Sequence, residues 1–280
     1  MKSIEEIKKV ISKLNIVDFN SEDSYKTVEN LMKNELLQFA LPTKVFEPGM
    51  ILFRCSNHYD SKDFVTTTRL SYRTDLAEIK EFGRANIKEQ GVFYCTDEVA
   101  TAIGETNSVF RGDGHKNVDS FSVTVSVWRS IAPLEFTLII NNKFAQEKNA
   151  VIKKYKTDID KLIKELFNGE AEQVHEILNF ISNEFALNTN GNLNLYKISS
   201  AFSQLAFETS DGVMYPSVQR KLEGNNFAIK PSSVDKKLEF VEAYKYKFVK
   251  KGESEYVQSE VKNTIEVKGI NIKWGENTSC

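Results

Sequence analysis

The chain is poor in the residues that would announce a disulfide scaffold, a metal centre or a membrane segment. It has three cysteines, and Cys55, Cys95 and Cys280 form an odd, widely spaced set. That pattern excludes a disulfide framework and reads as reduced thiols. There are also only three histidines, His58, His115 and His175. A zinc site would have to join Cys55 and His58 to distant groups, so no metal is expected. No stretch approaches the roughly 18 uninterrupted apolar residues of a membrane helix. Met1-Lys2-Ser3-Ile4-Glu5-Glu6 places charges where a signal peptide needs its apolar segment, which predicts a cytoplasmic protein. The 37 basic and 39 acidic residues are spread along the chain and leave a formal charge of -2, so nucleic acid is not an expected partner. Repeats, low-complexity segments, a phosphate-binding Walker loop, a dinucleotide glycine fingerprint and a Ser-His-Asp set are all absent. Gly112-Asp113-Gly114 reads as a surface turn.

What is present suits one globular core of mixed α+β structure, since 41% hydrophobic and 27% charged residues are ordinary for such a protein. Ser3 and Glu6 have capping-box spacing, and Ile4, Ile7, Val10, Ile11 and Leu14 follow at helical period. A second stripe, Tyr25, Val28, Leu31, Met32 and Phe39, ends before Pro42. Residues 1–45 are thus expected to be a helical extension packed on a unit spanning 46–280. From Met50 the period shortens, and Met50 to Arg54 and Gly91 to Cys95 read as buried strands, with a helix opening at Thr96-Asp97-Glu98 and running to Glu105. Further strands are expected at Ser120 to Trp128, Leu134 to Ile140, Leu238 to Val249 and Tyr256 to Trp274, the last with a turn at Gly269. A helical insertion occupies about 143–193. Residues 212–231, GVMYPSVQRKLEGNNFAIKP, read as a polar loop returning to an apolar strand, with Gly224-Asn225-Asn226 supplying the left-handed conformations of the reversal.

The residues able to do chemistry are dispersed. Arg54 ends an apolar run, Arg84 lies in EFGRANIKEQGVFYC, Tyr94 closes the next strand, Glu105 ends ATAIGE, and Tyr215 and Ser217 flank Pro216. Each has a plain reading as well: Arg54 as the partner of an acid at a strand end, Arg84 in an exposed turn with Arg69 or Arg73 as substitutes, Tyr94 as a half-buried aromatic with a wet hydroxyl, Glu105 as a solvated helix residue, Ser217 as a turn closer, Tyr215 as packing. Lys153 to Lys156 read as a solvated helix face. As a set they suit cleavage of a cationic N-glycoside that carries phosphates. Arginine forks grip phosphate oxygens in pairs, aromatic rings stack on a flat cation, and a carboxylate stabilises an oxocarbenium-like centre.

The ordered runs ILFRCSNH, FGRANIKEQGVFYCTDEVATAIGE and DGVMYPSVQRKLEGNNFAIKP, over about residues 46–235, resemble the RES domain family, named for its Arg, Glu and Ser. The resemblance makes these Arg54, Glu105 and Ser217. It implies an ADP-ribosyltransferase-like fold, a split twisted sheet with flanking helices. It further implies a toxin that destroys NAD by hydrolysis or phosphorolysis, with NAD as substrate, no metal, and a helix-turn-helix, Xre-like antitoxin as partner. By the same resemblance Arg54 and Arg84 bind the NAD phosphates, Tyr94 lies at the nicotinamide end, Tyr215 contributes a rigid wall with Pro216, and Glu105 and Ser217 meet the ribose and reacting centre. Transfer of ADP-ribose to a protein, or an inactive binding module using the helical insertion as its contact surface, stay open, as does the oligomeric state.

Overall fold

Ser3 and Glu6 close the anticipated capping box: Ser3 N donates to Glu6 Oε2 at 2.8 Å and Glu6 N donates to Ser3 Oγ at 3.3 Å. Helix α1 (Ile4–Asn15) follows, then α2 (Ser24–Leu31), which continues through a wider helical turn over Met32–Leu36. The computed structural model describes residues 1–58, 62–107, 118–252 and 255–279, so Gly112-Asp113-Gly114, His115 and Cys280 lie outside the described residues. The N-terminal helices share one hydrophobic cluster with the centre of the protein. Ile7, Val10, Leu14, Val28, Met32 and Leu36 pack with Phe202, Val213, Tyr215 and Ala228.

The fold is α+β. Its strands are β1 (Thr43–Phe46), β2 (Ile51–Asn57), β3 (Phe93–Thr96), β4 (Ser120–Ser130), β5 (Leu134–Leu138), β6 (Gly212–Pro216), β7 (Asn225–Ile229), β8 (Leu238–Lys250), β9 (Tyr256–Lys268), β10 (Asn271–Trp274) and β11 (Thr278–Ser279). They form a sheet in the order β1-β5-β6-β7-β3-β2-β4-β8-β9-β10, with β11 on β9. Among the described residues only β5 and β6 pair in parallel along this path, and a parallel pair needs a crossover. Here it is long: α4 (Lys143–Lys148), α5 (Ala150–Leu166), α6 (Ala171–Ala186) and α7 (Lys197–Thr209). The expected insertion therefore includes most of the crossover. Gly169, with φ of 85°, makes the break between α5 and α6.

Period-two alternation sorts the central strands between two layers. Val213 and Tyr215 of β6 and Ala228 of β7 face the cluster under α1, α2, α6 and α7, whereas Met214, Phe227 and Ile229 face Phe93, Phe136 and Leu138 under α5. All five residues of β6 are buried. The supposed polar loop at 212–216 is thus a core strand, and Pro216 is its last residue, opposite Asn225 of β7. The reversal after it also differs from expectation. Its left-handed residues are Lys221 and Leu222, with φ of 51° and 70°, and not Gly224-Asn225-Asn226, of which the two asparagines already belong to β7. The turn at Gly269 is as anticipated, with φ of 59°.

The sheet is continuous but weakly joined at one place. β2 pairs with β4 along its whole length, from Ile51↔Arg129 to Asn57↔Val123, while β2 and β3 register only at Phe53↔Thr96. The halves part there.

Because Leu14 is fully buried in the cluster that also holds Tyr215, Leu14→Ala is expected to destabilise the whole protein by about 2–5 kcal/mol. Urea unfolding followed by circular dichroism reads this as a lower midpoint of the main transition.

Candidate active site

The parted strands leave a gap that side chains fill. Arg54 lies within β2, not at its end, and its Nη1 donates to the Tyr94 carbonyl at 2.9 Å across the seam. The guanidinium thereby occupies the place of a ladder bond, with its centre 5.5 Å from the Phe93 ring. Arg54 Nε is buried and has no hydrogen-bond partner among the described residues. Burial lowers the Arg54 pKa from its ordinary value, the expected direction for a cation removed from water.

Helix α3 (Val99–Thr106) straddles the same gap. It follows β3 directly, and its far end is tied to β2: Asn57 Nδ2 donates to the Thr106 carbonyl at 3.0 Å, and Thr106 Oγ1 to the Cys55 carbonyl at 3.4 Å. Its near end rests on the reversal between β6 and β7. A Cβ on Gly224 would stand 2.3 Å from Thr101 Oγ1, so only glycine lets this helix approach so closely. Glu105 lies four residues beyond Thr101 and so one turn along the same face. Its Oε1 accepts from Ser217 Oγ at 2.5 Å and from Asn226 Nδ2 at 2.7 Å. The Ser217 hydroxyl in turn accepts from Arg220 N at 3.1 Å.

Ser217 is fully buried, so it supports the carboxylate from behind and does not project from a turn into open space. Asn226 was legible only as a turn former. Its placement on β7, on the same face as Ala228, is what turns it toward Glu105.

Arg84 is not in an exposed turn. Only 9% exposed, it donates from Nη1 to the Phe185 carbonyl at 2.7 Å, and its guanidinium lies 4.8 Å from the Tyr196 ring. Tyr94 secures the loop that carries it. The phenol donates to Asn86 Oδ1 at 2.8 Å and accepts from Ala85 N at 3.0 Å, so this hydroxyl is engaged by the protein. A Cβ on Gly83 would come within 2.2 Å of Asn86 Oδ1, which explains the glycine before Arg84. Tyr215 is 3% exposed and packs on Phe185 with ring centroids 5.1 Å apart. Burial raises the pKa of both phenols. The two alternatives for Arg84 differ from it in surroundings: Arg69 is exposed, and Arg73 is paired with Asp75. Lys156 of the Lys153–Lys156 run is paired with Asp160.

Arg54, Arg84, Tyr94, Glu105, Tyr215 and Asn226 line one cleft of about 370 Å³. A second hollow of about 350 Å³ shares Arg54, Gly83, Asn86 and Tyr94 with it. Together they give one extended site with Arg54 common to both parts, Arg84 and Glu105 in the first and Arg73, Glu78, Lys80 and Glu81 in the second, each part within the size range of small-molecule sites. Cys55 and Cys95 also border the cleft, but burial pushes the Cys55 thiol up to about 12 and raises that of Cys95, so neither is a ready nucleophile. Among the described residues no group of three or more His, Cys, Asp or Glu side chains could hold a metal ion, and no helix is long and apolar enough to cross a membrane.

The model of the RES domain matches residues 51–248, more than half of the chain and all of the cleft side chains named above. No curated protein matches the sequence.

Glu184, next to the residue whose carbonyl holds Arg84, has its carboxyl pushed up from 4.5 to about 7 by burial. A raised carboxyl means that the folded protein holds the proton more tightly than the unfolded chain. This group therefore penalises folding increasingly as pH rises from about 4.5 to about 7, and its effect is level outside that window. Glu184→Gln is expected to flatten the fall in urea midpoint between pH 5 and pH 8, measured at about constant ionic strength.

Proposed function

Since the chain belongs to the RES domain family, we propose that it is an NAD-degrading enzyme that breaks the bond between nicotinamide and ribose, with water or phosphate as the acceptor of ADP-ribose. The observation that carries this reading is the convergence of Arg54, Arg84 and Glu105 on one cleft from β2, from the loop before β3 and from α3. Arg54 and Arg84 both line the cleft, and guanidinium groups are suited to gripping pyrophosphate oxygens in pairs. Tyr94 and Tyr215 supply aromatic surface for the flat pyridinium ring.

In the reaction the C1′–N1 bond breaks and its electron pair stays with nitrogen, so nicotinamide leaves neutral and needs no proton. Positive charge develops on the ribose. In this proposal the Glu105 carboxylate stabilises that charge and accepts the proton of an attacking water. Ser217 and Asn226 act through Glu105, fixing one of its oxygens so that it need not reorganise as charge appears. The proposal includes a role as a toxin restrained by a helix-turn-helix antitoxin, a reading supported by family membership alone.

Glu105→Gln keeps an oxygen able to accept from both Ser217 and Asn226 but removes the charge. It is expected to fold normally and to lower kcat by about 10²–10⁴-fold, and Ser217→Ala by less. Chromatography of NAD products, with and without phosphate, checks this. Free ADP-ribose or its phosphate alongside nicotinamide supports small-molecule cleavage, label on protein supports transfer, and equal nicotinamide release by wild type and Glu105→Gln overturns the proposal.

A further inference from the structure

The segment that carries Arg84 is gripped from outside the matched region. Phe82, two residues before Arg84, is 7% exposed and forms part of the wall of the second hollow. On one side it meets Tyr25 of α2, with ring centroids 5.4 Å apart and planes 29° apart. The Lys197 ammonium stands 5.2 Å from the same ring, and that of Lys88 stands 5.7 Å from it.

Lys197 is itself 5% exposed. Burying an ammonium is costly unless acceptors surround it, and these come from the N-terminal segment: Nζ donates to the Phe19 carbonyl at 2.7 Å, to Ser24 Oγ at 2.6 Å and to the Ser21 carbonyl at 3.4 Å. The residue before Lys197 is Tyr196, whose ring carries the Arg84 guanidinium. One dipeptide at the start of α7 thus holds Phe82 and Arg84 together, and the N-terminal helices lock that dipeptide in place.

We propose that Phe82, clamped between Tyr25 and Lys197, is a positioning residue for Arg84, and that the N-terminal helices thereby set the affinity of the cleft for its anionic substrate. Arg84 acts at the end of a short lever. Gly83 N donates to the Asn86 carbonyl at 3.0 Å, so residues 83–86 move as one turn, and a shift of Phe82 is passed directly to the guanidinium. Such a shift changes where the cation meets the substrate and leaves Glu105 untouched on α3. The ring of Tyr25 is what this contact requires. Its hydroxyl is buried without a hydrogen-bond partner among the described residues, and so contributes no bond to the clamp.

This inference rests on the NAD reading for its kinetic arm only. Tyr25→Leu and Lys197→Met, which remove the ring and the ammonium, are compared with Tyr25→Phe, which keeps the ring. The two disruptive variants are expected to raise KM for NAD about tenfold with kcat within about twofold, and Tyr25→Phe to match wild type. Hydrogen exchange of the full-length protein supplies a readout that needs no activity. Amides of residues 82–86 should exchange faster in Tyr25→Leu while those of α3 and the central strands keep their protection. Unchanged exchange at 82–86 in that variant, or a loss of protection spread evenly through the protein, overturns the inference, as does an unchanged KM. A wild type that releases no nicotinamide sinks the NAD reading instead, and the exchange comparison then decides the clamp by itself.

Discussion

A guanidinium set into a broken β-ladder is the constraint on which the site depends. Where β2 and β3 separate after one registered pair, the Tyr94 carbonyl loses the strand partner that a continuous sheet would give it, and Arg54 supplies the donor. A buried carbonyl left unpaired is expensive, so the sheet can open here only because a side chain closes the account. That side chain is charged, borders the cleft and keeps a buried donor without a hydrogen-bond partner among the described residues. The opening that weakens the sheet and the cation that equips the site are thus one feature.

Helix α3 makes the same opening permanent. Its two ends are fastened to opposite sides of the seam, to the turn at Gly224 and to Asn57 on β2, and Glu105 is presented between them. Three oxygen and nitrogen atoms from separate elements meet at this carboxylate and its serine: Asn226 Nδ2 from β7, Ser217 Oγ from the end of β6 and Arg220 N from the reversal. A group so held does not have to search for its orientation, and preorganisation of this kind is where enzymes place most of their electrostatic effect.

Tyr94 illustrates how a residue can matter to a site without its polar end facing it. Its hydroxyl is consumed by Asn86 and Ala85, and what it delivers is the position of the Arg84 turn. Ser217 behaves alike toward Glu105. The cleft is therefore a small set of charged groups, Arg54, Arg84 and Glu105, held by a larger set of neutral ones.

The sequence alone determined the local features: the capping box at Ser3, the strand and helix periods, the turn at Gly269, and the ordered Arg, Glu and Ser motifs that mark the family. These depend on near neighbours or on residue order, and both are written in one dimension. Only the tertiary structure decided that GVMYP is a buried strand, that Ser217 lies behind Glu105, that Asn226 belongs to the site, and that Tyr196 and Phe82 hold Arg84. Each of these depends on which face of a strand turns inward and on which distant segment packs against it. A glycine, an asparagine or a tyrosine looks the same in the chain whether it will close a turn or fasten two elements remote from one another, because burial is a property of the packed assembly and not of the residue.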